Sequence, residues 1–335
     1  VVNGRQVRPT RISALATYVP PGILDNQKLS QMVETSDEWI LQRTGIKTRH
    51  IAEKGVGTSD LAAEAAKRAI AQRGISPTDI DLVIIGTTTP DMMFPSTAAL
   101  VQDKIGAKTC WGFDLAAACS GFTFSLAAAS QMVSTGTHNC ALVIGADVMS
   151  SIVDYTDRTT CVLFGDGAGA VLVEPAVEEG LEIIDFANTI DGSGREALQM
   201  PGGGSLHPAS HDTVDKKMHF IRQDGQAVFK FAVRNTEEIS RTIMARNNVK
   251  AEDIAMFVSH QANRRIIMSA ADKLGFPESK VMLNIADYGN TTAATIPLAL
   301  DDAIKQGRIK KGDLVLLTSV GAGFTVGSAL LRWAF

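Results

Sequence analysis

The chain repeats itself. Ile75-Ser-Pro-Thr-Asp-Ile-Asp-Leu-Val-Ile84 is answered by Val249-Lys-Ala-Glu-Asp-Ile-Ala-Met-Phe-Val258, and Lys104-Ile-Gly106 by Lys273-Leu-Gly275. A helical run ending Ser134-Thr-Gly136 has its counterpart in one ending Lys305-Gln-Gly307, Leu142–Gly145 corresponds to Leu314–Ser319, and Gly169–Val173 to Ser328–Arg332. A duplication of alternating strands and helices calls for two similar α/β halves, 1–178 and 179–335. Counted back from Gly136 and Gly307, Cys119 and Asn290 occupy the same place. Packing about a pseudo-twofold axis is then expected to bring both helix starts to one site, flanked by the strand ends near Thr87 and Ser259, with His260 at the second.

Composition sets the outer limits. The chain has 335 residues, 45% hydrophobic, so it can bury a large core, and its net charge of -4 gives no global pull toward nucleic acid. Cys110, Cys119, Cys140 and Cys161 show neither CxxC nor metal-ligand spacing, which points to reduced thiols and a cytoplasmic setting. No signal peptide or membrane span is expected.

Strands are expected at Val7–Thr17, Asp81–Thr87, Trp111–Leu115, Ala141–Gly145, Thr160–Phe164 and Ala170–Val173. Helices are expected after Thr58-Ser59-Asp60, over about 95–105, and from Cys119 to Thr135. Cys119 lies where a short apolar strand passes through three alanines into a helix, so first-turn N–H groups and the helix dipole favour its thiolate. A buried structural cysteine is the plain alternative. The polar stretches Ser259-His260-Gln261-Ala262-Asn263 and Tyr288-Gly289-Asn290 argue against it, because the duplication converges them on the cysteine.

These motifs carry a family resemblance. Asp37-Glu-Trp-Ile-x-x-Arg43-Thr-Gly-Ile, Asp114-Leu-x-Ala-Ala-Cys119-Ser-Gly-Phe, Asp157-Arg-x-Thr-Cys-x-Leu-Phe-Gly-Asp-Gly-Ala-Gly169, Val228-Phe-Lys-Phe-Ala-Val233, His260-Gln-Ala-Asn263 with Arg265, Tyr288-Gly-Asn290-Thr-Thr-Ala-Ala and Gly321-x-Gly-Phe-Thr-x-Gly-Ser328 span nearly the whole chain. The chain resembles the 3-ketoacyl-(acyl-carrier-protein) synthase III family, within the thiolase-like superfamily. The resemblance implies an α/β thiolase-like fold of five αβαβα layers, a homodimer, and no resident cofactor, coenzyme A thioester being substrate. It implies acyl transfer from coenzyme A to Cys119, followed by decarboxylative condensation with malonyl-carrier protein through a Cys119-His260-Asn290 set.

The chemistry suits those residue types. An oxyanion formed by attack of Cys119 needs N–H donors; the Cys119 N–H is one and, by resemblance, the Ala322 N–H the other. A neutral His260 Nε2 and the Asn290 amide are suitable donors for the thioester oxygen during decarboxylation, and the histidine can also help the thiol lose its proton. By resemblance, Trp39 and Arg158 surround the adenine of coenzyme A, Arg43 lies near its phosphates, Asn263 lies beside the pantetheine arm, Lys230 and Arg265 meet the acyl carrier protein, and Phe94 reaches the neighbouring subunit's acyl pocket. Plain readings stand beside these: Trp39 as a core aromatic, Arg43 and Arg158 as surface charges, and the basic residues of 230–265 as a solvated face. Asp191–Gln226 is irregular and suits a flap over the acyl tunnel better than a metal site, since Pro208 separates His207 from His211. Related enzymes of secondary metabolism, synthases with longer or branched primers, and a non-catalytic carrier-protein scaffold are the competing classes; the intact Cys-His-Asn set argues against the last.

Overall fold

The computed structural model describes residues 7–335. Residues 1–6, the start of the N-terminal half, lie outside the described residues. Nine strands build the two principal sheets: β1 Thr10–Tyr18, β2 Leu82–Gly86, β3 Trp111–Leu115, β4 Ala141–Asp147, β5 Gly167–Pro175, β6 Ile183–Ile190, β7 Met256–Ser259, β8 Leu314–Gly321 and β9 Thr325–Arg332. The first sheet runs β1-β5-β4-β2-β3 and the second β7-β8-β9-β6. In each, a parallel pair (β2 with β4, β7 with β8) is followed by antiparallel neighbours in matching order. The counterpart of β3 is reduced to one parallel bridge, Phe257 to Val281.

Six helices complete five layers: α1 Thr58–Arg73, α2 Thr97–Ile105, α3 Gly121–Ser134, α4 Gly225–Arg246, α5 Arg264–Leu274 and α6 Thr295–Lys305. The strands explain the order, because alternate residues are apolar on both faces. Leu82 and Ile84 face inward with Leu126, Val258, Ile296 and Leu317, whereas Val83 and Ile85 face outward onto the alanines of α1. Phe257 and Leu316 likewise face outward onto Ile243 of α4 and Ile267 of α5. Thus α3 and α6 lie between the sheets, and α1/α2 and α4/α5 cover the outside. Each fully buried aliphatic side chain contributes roughly 1.5–3 kcal/mol, so the shared middle layer holds the two halves together. Among the described residues no helix is long and apolar enough to cross a membrane.

The central layer is tight enough to exclude side chains. A Cβ added at Gly86, the end of β2, would lie 2.5 Å from the Gly121 carbonyl carbon at the start of α3. Gly86→Ala is therefore expected to lower stability by about 1–3 kcal/mol, seen as a lower urea midpoint at unchanged slope. Gly192→Ala, with nothing within 4 Å of the new atom, is expected to stay within about 0.5 kcal/mol of wild type.

Candidate active site

The chain leaves β3, passes through a left-handed Ala118 (φ 48°) and makes one tight turn, Ala118–Ser120, before α3 begins. This places Cys119 inside the protein, 6% exposed. Opposite it, Gly321 ends β8; a Cβ there would lie 2.7 Å from the Cys119 nitrogen and 3.0 Å from that of Ser120. Glycine at 321 thus keeps the space in front of the Cys119 N–H open, as an oxyanion requires. The expectation of a resting thiolate is not met. Burial, and secondarily the negative charge of Asp147, push the Cys119 thiol up to about 12, with a hydrogen bond from its own main-chain N–H working the other way.

Thr292, also left-handed (φ 53°), opens the turn before α6 as Ala118 opens the one before α3. The spacing 292 − 118 = 174 equals that between the paired strands, 256 − 82 = 174. The positional twin of Cys119 is therefore Ala293, and Asn290 lies three residues upstream of it (293 − 290). Counting back from the helix ends hid this because α6 has 11 residues and α3 has 14.

Asn290 is held by main-chain bonds instead. Its N–H donates to Leu163 O (2.9 Å) and its carbonyl accepts from Gly165 N–H (3.1 Å). Its Oδ1 accepts the Thr292 N–H at 2.9 Å, which leaves the Nδ2 donor for the cavity. Residues 160–164, expected as a strand, form turns, because Thr159 and Thr160 donate to the Asp157 carboxylate and Cys161 N–H bonds to Asp157 O. What remains of strand character is the bridge from Phe164 to Asn290. Arg49, fully buried, braces this loop by donating from Nε (3.2 Å) and Nη2 (2.5 Å) to Val162 O. Sequence reasoning passed over it, since nothing local distinguishes a buried arginine from a surface one.

His260 follows β7. Its N–H donates to Thr318 O at 2.8 Å, and Nδ1 lies 2.6 Å from Thr295 Oγ1. Burial pushes the imidazole down to about 3, so the ring is neutral at physiological pH.

Cys119, His260 and Asn290 line one cavity, which Phe229 and Asn263 also line. Cys119 also lines a second, mainly apolar cavity, together with Met149, Ile152, Leu198, Met200, Ile221 and Ala322. Leu198 to Ile221 belong to the stretch expected as a flap. The apolar positions are scattered through the sequence and carried no local signal. Phe94 is 84% exposed and lines neither cavity of its own chain.

Two of the other site candidates, Arg43 and Arg265, touch residues that line the first cavity. Asn263 Nδ2 donates to Arg43 O at 2.8 Å. The Arg43 and Arg158 guanidiniums stand 5.9 Å and 5.2 Å from the centre of the Trp39 ring. Arg265 lies over Phe229 at 5.4 Å. Of the seven basic residues in 230–265, Arg234, Arg241, Arg246, Lys250 and Arg264 each pair with a carboxylate. Lys230 and Arg265 are exposed and have no ion-pair partner among the described residues.

The depressed His260 value has a consequence for stability. Between its ordinary 6.5 and about 3, the unfolded chain binds a proton that the folded chain refuses. Stability is therefore lost as pH falls through this window, with a slope approaching about 1.4 kcal/mol per pH unit. Denaturation of wild type and His260→Asn over that range is expected to show a shallower loss in the variant.

Comparison with known proteins accords with this geometry. The family model 3-Oxoacyl-[acyl-carrier-protein (ACP)] synthase III matches residues 113–192, and its C-terminal companion matches 244–333. Beta-ketoacyl-[acyl-carrier-protein] synthase III of Solibacter usitatus is 57% identical over 327 residues (97% of this chain, 99% of the relative), and that of Koribacter versatilis 53% over 330 (98% and 99%). The crystal structure of 3-oxoacyl-[acyl-carrier-protein] synthase III from Aquifex aeolicus superposes with a TM-score of 0.89 at 44% identity, covering 97% of this chain and 100% of that one. With a five-layer thiolase-like fold and identity at this level from end to end, the chain belongs to the beta-ketoacyl-[acyl-carrier-protein] synthase III family, the condensing enzymes of fatty-acid synthesis.

Proposed function

We propose that the chain primes fatty-acid synthesis by moving an acyl group, acetyl first among them, from coenzyme A onto Cys119 and condensing it with malonyl-carrier protein. The observation that supports this most directly is that Cys119 lines both the cavity of His260, Asn290 and Asn263 and a mainly apolar second cavity, while Asn263 bonds to the Arg43 carbonyl beside the patch of Trp39 and Arg158. A nucleotide stacks at the patch, the pantetheine arm follows Asn263, and the acyl chain passes the sulfur. The half carrying Cys119, 1–178, supplies the nucleophile, and the half 179–335 supplies His260 and Asn290.

In the first half-reaction the Cys119 sulfur attacks the thioester carbonyl as its proton leaves toward His260. The Cys119 and Ala322 N–H groups take the oxyanion, and coenzyme A departs as the thiol. In the second, the malonyl thioester oxygen faces Asn290 Nδ2 and His260 while carbon dioxide leaves. The carbanion attacks the acyl carbonyl, and Cys119 is expelled and reprotonated. Lys230 and Arg265, exposed and without an ion-pair partner among the described residues, attract the acidic carrier protein. A homodimer is supported by the edge position of β3, where Trp111 is 53% exposed, and by the exposed Met93 and Phe94 (77% and 84%), which suit a neighbour's acyl cavity. The apolar cavity also keeps longer or branched primers in view.

Intact-mass analysis after incubation with a panel of acyl-CoAs is expected to show one adduct, absent in Cys119→Ala, with acetyl among the fastest; no adduct from any acyl-CoA refutes the reading. Asn290→Ala is expected to slow malonyl decarboxylation by about 10²-fold or more while Cys119 still acetylates. For docking, Lys230→Glu is expected to raise the KM for malonyl-carrier protein at low salt, leave acetylation intact, and lose much of its defect at high salt. Unchanged carrier-protein kinetics would place docking on another surface.

A further inference from the structure

Asn290 stands where the second half has lost a strand. In the first half the chain reaches its turn along β3, and Trp111–Leu115 is locked by parallel pairing to Leu82–Gly86 of β2. The offset of 174 carries 111–115 onto 285–289, since 285 − 111 and 289 − 115 both equal 174. There the chain is a single helical turn, Ile285–Tyr288, followed by Gly289, outside both principal sheets. Sheet pairing does not fix this approach to Asn290, so other groups must.

Four consecutive residues, Lys47 to His50, take over that task. They open a short strand, Thr48–Ile51, that pairs on one side with Gly22–Asp25. Toward Asn290, Lys47 N–H donates to Ala286 O at 2.9 Å and Thr48 Oγ1 to Asp287 O at 2.8 Å, while the His50 and Tyr288 rings stack with centres 5.7 Å apart. Arg49, with 0% exposure, completes the series. A Cβ at Gly289 would lie 3.0 Å from its Cγ, and one at Gly165 would lie 3.3 Å from its Cβ. The arginine stem is thus wedged between the glycine before Asn290 and the glycine after Phe164, the bridge partner of Asn290.

The charged end of Arg49 reaches the same loop. Nε and Nη2 both donate to Val162 O, at 3.2 Å and 2.5 Å, and Nη1 donates to Asn26 Oδ1 at 2.6 Å and to Lys47 O at 3.4 Å. The next carbonyl along, Leu163 O, accepts the Asn290 N–H. One peptide unit therefore separates the atom that the guanidinium grips from the atom that holds Asn290. Burial pulls the guanidinium down to about 10, which leaves it charged at neutral pH. A fully buried cation whose acceptors are neutral oxygens costs the fold more than an apolar side chain of the same shape. Stability alone does not account for it.

We propose that Arg49 is a positioning residue for the decarboxylation step: by gripping Val162 O and filling the space against Gly289, it sets Asn290 Nδ2 at the depth where that donor meets the malonyl thioester oxygen. This rests on the reading of Asn290 as a donor to that oxygen given above. Acylation of Cys119 does not draw on Arg49, because the Cys119 turn is reached along β3 and faces Gly321. The helix Asp37–Thr44, which carries Trp39 and Arg43, is spared as well. Asn26 holds Asp37 Oδ1 and Ile46 O through its own Nδ2, at 2.8 Å each, and these bonds do not involve the guanidinium.

The test compares the full-length wild type with Arg49→Met, which keeps an unbranched stem without donors, and Arg49→Lys, which keeps the charge but cannot fork onto one carbonyl. Release of carbon dioxide from malonyl-carrier protein is expected to fall by about 10-fold or more in Arg49→Met and by about threefold or more in Arg49→Lys, while acetylation of Cys119 by acetyl-CoA stays within about threefold of wild type in both. Structural damage would lower both rates together. A cycle with Asn290→Ala isolates the route: in that background Arg49→Met is expected to change the residual decarboxylation by less than about threefold, because the group it positions is already gone. Similar losses in the two half-reactions, or a further loss of about 10-fold on top of Asn290→Ala, overturns the proposal. Should Arg49→Met not fold, Arg49→Lys carries the same cycle, and unchanged decarboxylation in that variant overturns the proposal equally. Absence of decarboxylation in wild type, or a wild-type rate in Asn290→Ala, would instead count against the underlying functional reading.

Discussion

Main chain pressed against main chain, with no room for a side chain between, fixes the centre of this protein. Gly86 meets Gly121 where β2 ends and α3 begins, Gly145 meets the backbone of Ala293 before α6, and Gly321 faces the nitrogens of Cys119 and Ser120. Each contact sets a helix start against a sheet end, so the depth of both central helices is fixed to a fraction of an ångström. Packing at native density then transmits that placement to every group the helices carry. A larger residue at any of the three would move the cysteine, the hydroxyl that holds the histidine, or the space in front of the nucleophile's N–H.

The two halves use this shared frame in opposite ways. Strand register makes Asp147 the twin of Gly321, since 321 − 147 is again 174. In the first half Asp147 Oδ2 accepts from the Thr292 hydroxyl and from Ala293 N–H at 3.4 Å. Its Oδ1 is held by the Thr89 hydroxyl at 2.8 Å and by Thr88 N–H, also at 2.8 Å. The Asp147 side chain thus sits before the turn that is the twin of the Cys119 turn. Where glycine replaces it, the same kind of turn faces the cavity that Cys119 and Gly321 line, which suits the oxyanion of the proposed reaction. The equivalent turn is thus hydrogen-bonded to a carboxyl group through the Thr292 hydroxyl and the Ala293 N–H.

The architecture was legible because the duplication repeats short motifs at nearly constant spacing, and strands covered by helices on both faces read as continuous apolar runs. Cys119, His260 and Asn290 were legible as residue types at the ends of those strands. Their pairing was not, because α6 is a turn shorter than α3 and the count from the helix ends slips by three residues. The Thr160–Phe164 run failed for a different reason: β-prone residues were captured by a turn that Asp157 organises through side-chain bonds. Family resemblance had singled out Lys230 and Arg265, but that they, unlike Arg234 and Arg264, have no ion-pair partner among the described residues was visible only in three dimensions.

Burial disfavours the charged form of both Cys119 and His260. The same desolvation that pushes the Cys119 thiol up to about 12 pushes His260 down to about 3, so an ion pair between them is disfavoured from both sides. Asp147, which anchors the start of α6, adds to the cost of a thiolate. A resting thiolate would be the better nucleophile, yet it would also be open to oxidation and alkylation between turnovers. On the proposed function, a buried neutral thiol becomes reactive when a thioester carbonyl enters to receive the electron pair beside a neutral imidazole. Charge then develops where N–H donors already point, so the site need not reorganise for a charge that is not yet there.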